Sequence, residues 1–311
     1  MEMETAGDPM TGLKWTRKTT QKIATELERL DIRVCARTVA MLLRDLGYSL
    51  RVNQKKTAWS GHQTPVKRRQ RNRQFRHIAS QRHHFQRQGL PVISVDTKKK
   101  EKIGNFKNPG AVWGSEEREV YDHDFPSWAS GKAIPYGIYD PAANRGTVCV
   151  GTSHDTASFA VQAIQGWWKT EGRQRYGQAK QLLILADHGG SNSPTCSMWI
   201  WQLAQILCQK YDLTVTVCHY PPGASKWNPI EHRLFSQISK NWAGVPLDSY
   251  EVMLNYIRTT KTTSGLEVRA SLLTKVFPKK QRPPKDFLSI INLQRDPQLP
   301  DWNYTITPSR M

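Results

Sequence analysis

Two stretches near the start of the chain carry apolar residues at helical spacing. In each stretch an apolar side chain recurs every three or four residues, which predicts a short amphipathic helix. Thr19 or Thr20 can cap the first helix, the turn spans residues 31–34, and Gly47 favours termination of the second helix. The apolar positions are Ile23, Leu27 and Leu30 in the first helix and Val39, Leu42, Leu43 and Leu46 in the second.

From residue 90 onward, short apolar runs that are typical of strands alternate with helical stretches. The second and third of these strands are close enough along the chain to be antiparallel neighbours. Three strands followed by helix, strand, helix, strand and helix is the order of the ribonuclease-H-like fold. We therefore predict an α/β protein, in which a mixed sheet flanked by helices follows a small all-α domain. The predicted strands cover residues 92–96, 133–139, 147–151, 182–187 and 213–218, and the predicted helices cover 156–168, 195–211 and a stretch that Pro229 opens.

These patterns divide the chain into four parts. The segment before the first predicted strand is rich in glutamine, and Phe75, Ile78 and Phe85 give it only a weak apolar face. The insertion between the first two strands, residues 97–132, is long and polar. We predict a helix-turn-helix domain over residues 1–50, a basic linker or helix over 51–89, a ribonuclease-H-like domain over 90–262 and a C-terminal extension over 263–311.

The formal net charge of +19 is concentrated in the first third of the chain. Residues 1–94 contain 19 Lys and Arg against 7 Asp and Glu, and no acidic residue lies between Asp45 and Asp96. Such a stretch neutralises phosphates and releases counterions, so it predicts a nucleic-acid partner; a solvated basic linker or a contact with anionic lipid is the alternative. The residues predicted to contact DNA are Arg37, Thr38, Met41 and Arg44 on the second helix and Lys67, Arg68, Arg69, Arg71 and Arg73 in the basic segment.

Cysteine and histidine usage argues against two other classes of protein. The five cysteines are odd in number and widely spaced, which is unlike a disulfide scaffold or a zinc ribbon. His77, His83 and His84 have no cysteine or carboxylate nearby to complete a zinc site. There is no run of about eighteen apolar residues and no secretory pattern at the start, so we expect a soluble intracellular protein without a membrane partner.

Three carboxylates occupy positions that a phosphoryl-transfer site requires. Asp96 closes the first predicted strand, Asp187 closes the fourth, and Glu231 lies in the first turn of the last helix. If those strands are neighbours, the three side chains meet at one edge of the sheet, where they can hold two divalent ions about 4 Å apart. Each alone has an ordinary explanation, as a turn residue or a helix-dipole partner, and only the combination indicates a metal site.

Other carboxylates in this part of the chain compete with these three. Asp124 and Asp140 lie beside aromatic or proline residues and are interpreted as turn residues, and Glu101 follows three lysines that pair with it more naturally. Asp122 and Asp155 are the remaining candidates.

Several residues close to the three carboxylates have two readings. Lys98, Lys99 and Lys100 can hold a scissile phosphate or form a solvated turn. The run 189–192 can bring backbone amides to a phosphate or simply turn. The roles left open are proton transfer or DNA contact for His188 and His232, and base stacking or core packing for Trp227.

Long phrases of the sequence resemble the ISAzo13 family of bacterial insertion-sequence transposases, from about Trp15 to the end. The segment around Glu231 also looks like the third-carboxylate motif of the IS630 and mariner group. The phrases are SVDTKKKE at 94–101, GNFKN at 104–108, HDFP at 123–126, GKAIPYGIYD at 131–140, ADHGGSN at 186–192, CHYPPG at 218–223, SKWNPIEHRLF at 225–235 and WNYT at 302–305.

This resemblance implies a DDE mechanism, in which metal-activated water nicks the end of the element and the freed 3′ hydroxyl attacks target DNA. The triad maps to Asp96, Asp187 and Glu231, with two Mg²⁺ or Mn²⁺ ions per active site. The implied partners are double-stranded DNA, as element terminal repeats and as target, and further copies of the chain in a homodimer or higher assembly. The implied location is the bacterial cytoplasm, in association with the nucleoid.

Two alternatives remain open. The chain can be an inactive remnant or regulator that binds DNA without cutting it, although all three carboxylates are present. It can also be a ribonuclease-H-like metal nuclease that hydrolyses nucleic acid without strand transfer.

Overall fold

The computed structural model describes residues 5–7, 14–16, 19–48, 65–112, 116–224 and 227–309. The chain forms two compact units, Met1–Ala58 and Trp59–Met311. Each unit is described separately below.

The first unit contains a short hairpin and two helices. Strands β1 (Thr5–Gly7) and β2 (Lys14–Thr16) pair antiparallel. Helix α1 (Thr20–Glu28) starts as the sequence predicted, because the Thr19 side chain accepts a hydrogen bond from the Lys22 amide. Helix α2 (Ala36–Asp45) packs on α1 through a small core of Ile23, Ala24 and Val39, with Leu27, Val34 and Leu43 around it.

The apolar stripes of these helices are narrower than the sequence predicted. Leu30 is 70% exposed because α1 ends at Glu28, before that residue. Leu42 and Leu46 are also exposed, since the α1–α2 contact buries Val39 and only part of Leu43. The predicted DNA-contact positions Arg37, Met41 and Arg44 are exposed, whereas Thr38 is half-buried with its hydroxyl 3.3 Å from the Cys35 thiol.

The second unit is built on one large sheet with helices on both faces. Wider π-helical turns cover Trp168–Gly172, Ala204–Gln209 and Glu231–Phe235, and 3₁₀ turns cover Pro126–Trp128 and Gly190–Asn192. The strands are β3 (Val92–Thr97), β4 (Glu101–Ile103), β5 (Gly131–Asp140), β6 (Arg145–Gly151), β7 (Gln181–Ala186), β8 (Thr214–His219), β9 (Glu267–Leu273), β10 (Asn292–Arg295) and β11 (Asn303–Thr307). The helices are α3 (Pro65–Arg87), α4 (Ala157–Trp167), α5 (Arg173–Tyr176), α6 (Ser197–Leu203), α7 (Ser236–Asn241), α8 (Tyr250–Arg258) and α9 (Phe287–Ile290).

The sheet order confirms the predicted ribonuclease-H-like fold. The order is β10-β11-β8-β7-β3-β5-β6-β9, with β4 paired to β5. Strands β3, β5 and β6 form an antiparallel meander, and β7 and β8 continue from β3 as parallel strands. The central strand β7 is apolar along most of its length because helices cover both of its faces.

Residues after 262 extend this sheet at both edges. Strand β9 pairs parallel with β6, and β11 pairs antiparallel with β8 and carries β10 outside it. The C-terminal extension of the sequence analysis is thus part of the same sheet as the predicted catalytic region.

One face of the sheet is covered by α3 and by the helix that begins at Glu231. Ile78 and Phe85 of α3 are buried against Leu183 and Leu185 of β7, which shows that the weak apolar face predicted for this basic segment is real. The opposite face packs on α4 and α6 in the largest hydrophobic core of the protein.

Two further findings concern the chemistry of the whole chain. The five cysteines are free thiols, and Cys149, Cys208 and Cys218 are buried. None of the helices within the described ranges combines the length and the apolar character that crossing a membrane requires.

Candidate active site at the carboxyl edge of the sheet

Asp96 and Asp187 lie side by side at the carboxyl edge of two parallel strands. The register of β3 and β7 pairs Val95 with Ala186, so the two aspartates are the next residues in that register. The Asp96 side chain is held by the Thr97 amide, which donates to Oδ1 at 2.7 Å, and Asp187 by the Gly189 amide, which donates to Oδ1 at 3.3 Å. The convergence expected from strand order is therefore present in the backbone.

The loop that carries Glu231 to this edge is fastened to β3. The hydroxyl of Ser94, two residues before Asp96, donates to Oδ1 of Asn228 and accepts from the Ile230 amide at 3.3 Å. The side-chain nitrogen of Asn228, Nδ2, donates to the carbonyl of Val95 at 3.4 Å, and Asn228 is fully buried. Glu231 follows directly, so its backbone is tied to the strand that carries Asp96.

A glycine allows the helix after Glu231 to lie directly on the sheet. Gly137 of β5 is the register partner of Asp96. A Cβ atom at Gly137 would stand 2.5 Å from the Phe235 ring and 2.8 Å from Cδ1 of Ile230. The absence of a side chain at this position is what lets the helix approach the face to which Asp96 points.

The electrostatics show that the three carboxyl groups act on one another. Burial raises the pKa of Asp96 to about 8, and the charges of Asp187 and Glu231 and a hydrogen bond with Glu231 add to the increase. Burial also raises the pKa of Asp187 to about 6; the Gly189 amide opposes this shift, and the charges of Glu231 and Asp155 add to it. The edge therefore concentrates negative charge that a cation would neutralise.

The donor set fits a hard divalent cation, although the side chains are not yet arranged around one. Within the described ranges, no group of three or more His, Cys, Asp or Glu side chains has the spacing of a metal site. Carboxylate oxygens are the ligands that Mg²⁺ and Mn²⁺ prefer, and the pKa of Asp96 is raised first by its burial and then by the charges of Asp187 and Glu231, both of which a bound cation would offset.

Asp155, which the sequence left among the competing carboxylates, is a fourth carboxylate at this edge. It lies in the loop between β6 and α4, where it accepts a hydrogen bond from the Thr97 hydroxyl at 3.2 Å. Lys100 forms an ion pair with its other oxygen at 3.1 Å. The predicted fold was enough to place Asp155 at this edge. In that fold β6 runs in the same direction as β7 and β8, so the residues that follow β6 lie at the same edge of the sheet.

The lysine run after Asp96 differs from the prediction at one position. Lys98 is 9% exposed: its ammonium lies 3.1 Å from Glu101 and 4.5 Å from the centre of the Trp242 ring. Burial lowers the pKa of Lys98, and the Glu101 charge opposes that shift. A phosphate contact predicted for Lys98 would require breaking both contacts, so we correct its assignment to a structural lysine. Lys99 is exposed and Lys100 partly so.

The basic residues of α3 lie near the loop that leads to Glu231. Arg71 donates to the carbonyl of Pro222 in that loop at 2.8 Å, and Arg73 donates to Gln298 at 2.7 Å. Lys67, Arg68 and Arg69, one turn earlier, are exposed. The amino-terminal half of α3 thus brings positive charge to the edge that carries the carboxylates.

The residues with two readings are placed as follows. Trp227 is 59% exposed and packs edge-to-face on Phe75 with ring centres 5.9 Å apart. Nδ1 of His188 is buried without a hydrogen-bond partner among the described residues, and burial lowers the pKa of this imidazole, with Asp301 opposing. His232 is exposed, and Gly190 has a φ of +64° in the turn after Asp187.

Two of the remaining competing carboxylates have the roles that the sequence indicated, Asp140 in a turn and Glu101 as a partner of the lysine run. Asp140 is fully buried and accepts hydrogen bonds from the amides of Ala142 and Ala143 and from Arg175 and Tyr176. Asp124 pairs with Lys102 on the surface, and Glu101 pairs with Lys98. Asp122 is also exposed and pairs with His123.

Comparisons with known proteins give one family and a set of solved structures. The family model described as the Rhodopirellula transposase DDE domain matches residues 1–308. No curated protein sequence matches the chain. The structure is similar to the Mos1 transposase paired-end complex with left transposon end, at 16% identity, and to the Mos1 mariner paired end complex with Mn, at 18% identity. Both matches cover 77% of this chain and 65% of the other, with a TM-score of 0.44, so the chain matches about two thirds of the length of those proteins.

Proposed function

Because the chain belongs to the family described as the Rhodopirellula transposase DDE domain, which is the ISAzo13 family that its sequence resembles, we propose that it cuts the ends of an insertion sequence and joins them to target DNA. The observation that carries this proposal is that Asp96 and Asp187 directly follow the register pair Val95–Ala186 of β3 and β7, with the loop before Glu231 anchored to β3 through Ser94 and Asn228.

In this proposal Asp96, Asp187 and Glu231 hold two Mg²⁺ or Mn²⁺ ions. When bound, the ions supply the positive charge that activates water and stabilises the oxygens of phosphoryl transfer. The chain's own contribution is orientation: the amides of Thr97 and Gly189 each hold one carboxylate oxygen of an aspartate. The Ser94–Asn228 contact keeps the Glu231 loop from moving away.

Double-stranded DNA is the proposed substrate, as terminal repeats and as target. The exposed basic residues at the start of α3 lie near the carboxylate edge, where they can neutralise phosphates beside the scissile bond. The exposed positions Arg37, Met41 and Arg44 of α2 are the proposed contacts of a helix-turn-helix in the major groove. Joining both ends of an element requires that they be held together, so we propose a homodimer or higher assembly on DNA, in the bacterial cytoplasm with the nucleoid.

The test is a cleavage and strand-transfer assay on linear DNA that carries the sequences flanking the gene, with Mg²⁺ or Mn²⁺ and a supercoiled target. We expect nicking at the element end and joined products. Asp187→Ala should abolish both reactions while DNA binding persists, because it removes a metal ligand. Asp212→Asn, an exposed aspartate beside Lys180, is the matched control and should react as wild type.

Three outcomes would contradict the proposal. Shifted but uncut DNA from the wild-type chain would favour an inactive DNA-binding regulator. Hydrolysis without joined products, or a preference for RNA–DNA hybrids, would favour a metal nuclease of the same fold. Strand transfer by Asp187→Ala would reject the triad.

A further inference from the structure

His219 is a fully buried residue with every polar atom engaged. It ends β8 beside Ala186 of β7, one residue before Asp187. Its backbone amide donates to the Trp302 carbonyl at 2.9 Å, and its carbonyl accepts from the Gln74 side chain at 2.8 Å. Both ring nitrogens also have partners: Nδ1 lies 2.9 Å from the carbonyl of Asp187, and Nε2 lies 3.4 Å from the hydroxyl of Tyr304.

The chemistry of these groups allows one direction of hydrogen bonding. The imidazole of His219 is fully buried and no carboxylate among the described residues is a partner of either ring nitrogen, so this environment favours its neutral form. The Asp187 carbonyl can only accept, so Nδ1 carries the proton and donates it, and Nε2 accepts from the Tyr304 hydroxyl. The Trp199 indole can only donate, and it lies 2.8 Å from the Tyr304 oxygen. Hydrogen bonds therefore run from Trp199 through Tyr304 and His219 to Asp187.

This chain of hydrogen bonds ends where the β-ladder ends. The last ladder bond between β7 and β8 is donated by the Tyr220 amide to the Ala186 carbonyl at 2.8 Å. The next carbonyl along β7 belongs to Asp187, and the His219 imidazole takes the place of a backbone donor there. Beyond it the chain leaves the sheet through Gly189 and Gly190. The imidazole is thus the last contact that fixes the Asp187 backbone before the turn.

We propose that His219, oriented by Tyr304 and Trp199, is a positioning residue that holds the Asp187 carboxylate toward Asp96 and Glu231 for metal binding; this inference rests on the proposed function. It also gives a role to two sequence phrases that the triad leaves unexplained, CHYPPG at 218–223 and WNYT at 302–305. Strand β11 then contributes to the active site through Tyr304, although it lies two strands away from β7.

Packing alone does not account for this arrangement. An apolar side chain of similar volume could fill the space of His219, but it would leave the Asp187 carbonyl and the Tyr304 hydroxyl without their present partners in a buried setting. When a residue that hydrogen-bonds to a metal ligand and orients it is removed, metal affinity typically falls by about 10- to 100-fold. Metal affinity therefore separates a positioning role from a packing role.

The test compares His219→Asn with His219→Gln in the full-length chain. The amide nitrogen of asparagine can occupy the position of Nδ1 and keep the bond to Asp187, whereas the amide of glutamine reaches only the position of Nε2, where its oxygen can accept from Tyr304 but no donor reaches Asp187. Mn²⁺ binding is measured by electron paramagnetic resonance of free Mn²⁺, with thermal unfolding recorded in parallel. We expect His219→Gln to weaken Mn²⁺ binding about tenfold and His219→Asn to stay within about threefold of wild type.

Controls separate failure of this inference from failure of the proposed function. Asp187→Asn must lose Mn²⁺ binding, and Cys218→Ala, a buried neighbour on the opposite face of β8, should lower the unfolding temperature without changing Mn²⁺ affinity. If both His219 variants bind Mn²⁺ as wild type does, the positioning role is overturned and the triad stands. If the wild-type chain binds no Mn²⁺, the metal site of the proposed function fails and this inference falls with it.

Discussion

The ring of Phe235 fills the space in which Gly137 would carry a side chain. The distance from the ring to an ideal Cβ at Gly137 is 2.5 Å, which real Cβ contacts do not show. Gly137 is also the register partner of Asp96, so this one contact sets the separation between the strand with the first carboxylate and the helix with the third.

Replacing Gly137 with alanine should therefore displace the Glu231 helix. We expect a loss of about 1–3 kcal/mol in unfolding free energy, as for overpacked cores, together with weaker Mn²⁺ binding. Denaturant unfolding and Mn²⁺ titration measure the two effects.

Gly166→Ala is the matched control, because no atom lies within 4 Å of a Cβ at that α4 position. It should leave Mn²⁺ binding unchanged and raise stability by about 0.5–1 kcal/mol. Equal behaviour of the two variants would show that the Gly137–Phe235 contact does not set the position of Glu231.

Asp96→Asn should stabilise the metal-free protein at alkaline pH. Burial and the neighbouring carboxylates raise the pKa of Asp96 from 3.8 to about 8 in the folded protein, so its charged form opposes folding. The stability that the protonated carboxyl provides is therefore lost as pH rises through 8. The asparagine variant carries no buried charge at this position and should unfold at a higher temperature at pH 8.5, by roughly 2–4 °C for each kcal/mol of destabilisation removed. The difference should vanish near pH 4.

The same unfolding measurement is repeated with Mn²⁺ present. It should raise the unfolding temperature of the wild-type chain and leave Asp96→Asn nearly unchanged. Asp124→Asn, an exposed aspartate paired with Lys102, serves as the control that should follow wild type. A metal-free Asp96→Asn protein that is less stable than wild type at pH 8.5 would argue against repulsion at this edge.

The sequence predicted the parts of the site that depend on chain order alone. An apolar run that ends in aspartate identifies both Asp96 and Asp187, and the order of strands and helices is enough to place them at one edge. Glu231 could be added because Pro229 starts its helix and a turn-rich loop precedes it. These features are local, and local patterns survive folding when the strands they describe are central and buried.

Features that depend on contacts between distant segments could not be predicted. His219 reads as a residue inside a strand until β11 brings Tyr304 beside it, and that pairing links positions 85 residues apart. Lys98 looks like a solvated lysine until Trp242 covers it. Leu42 and Leu46 follow the helical stripe but remain exposed, because α1 is too short to cover them.

The basic start of α3 should determine much of the salt dependence of DNA binding. Arg68 and Arg69 are exposed near the carboxylate edge, and each phosphate contact contributes about 0.9 to the slope of log affinity against log salt. Arg68→Gln/Arg69→Gln should reduce that slope by up to about 1.8 in fluorescence-anisotropy titrations. Lys180→Gln/Lys210→Gln, at the opposite edge of the sheet, should leave it unchanged; an equal slope for both double variants would place the DNA elsewhere.

The buried imidazole of His219 should make stability fall in mild acid. Burial lowers the pKa of His219 to about 4 in the folded protein, whereas in the unfolded chain it has the ordinary histidine value of 6.5. As the pH falls, the unfolded chain therefore binds a proton before the folded protein does. Its contribution is complete above pH 6.5 and is lost as pH falls toward 4, by up to about 3 kcal/mol. His219→Asn lacks this titration, so its stability should decline less than that of wild type across the same interval in urea unfolding.

The comparison is made between variants because other groups also titrate in this range. His83→Asn, which removes an exposed histidine of α3, should follow the wild-type decline, because it leaves the buried ring of His219 in place. The difference between His219→Asn and wild type then isolates the buried ring. A decline from pH 6.5 to 4 that is as steep in His219→Asn as in wild type would mean that this imidazole takes up its proton in the folded protein as readily as in the unfolded chain, and Nε2 would then donate to the Tyr304 hydroxyl rather than accept from it.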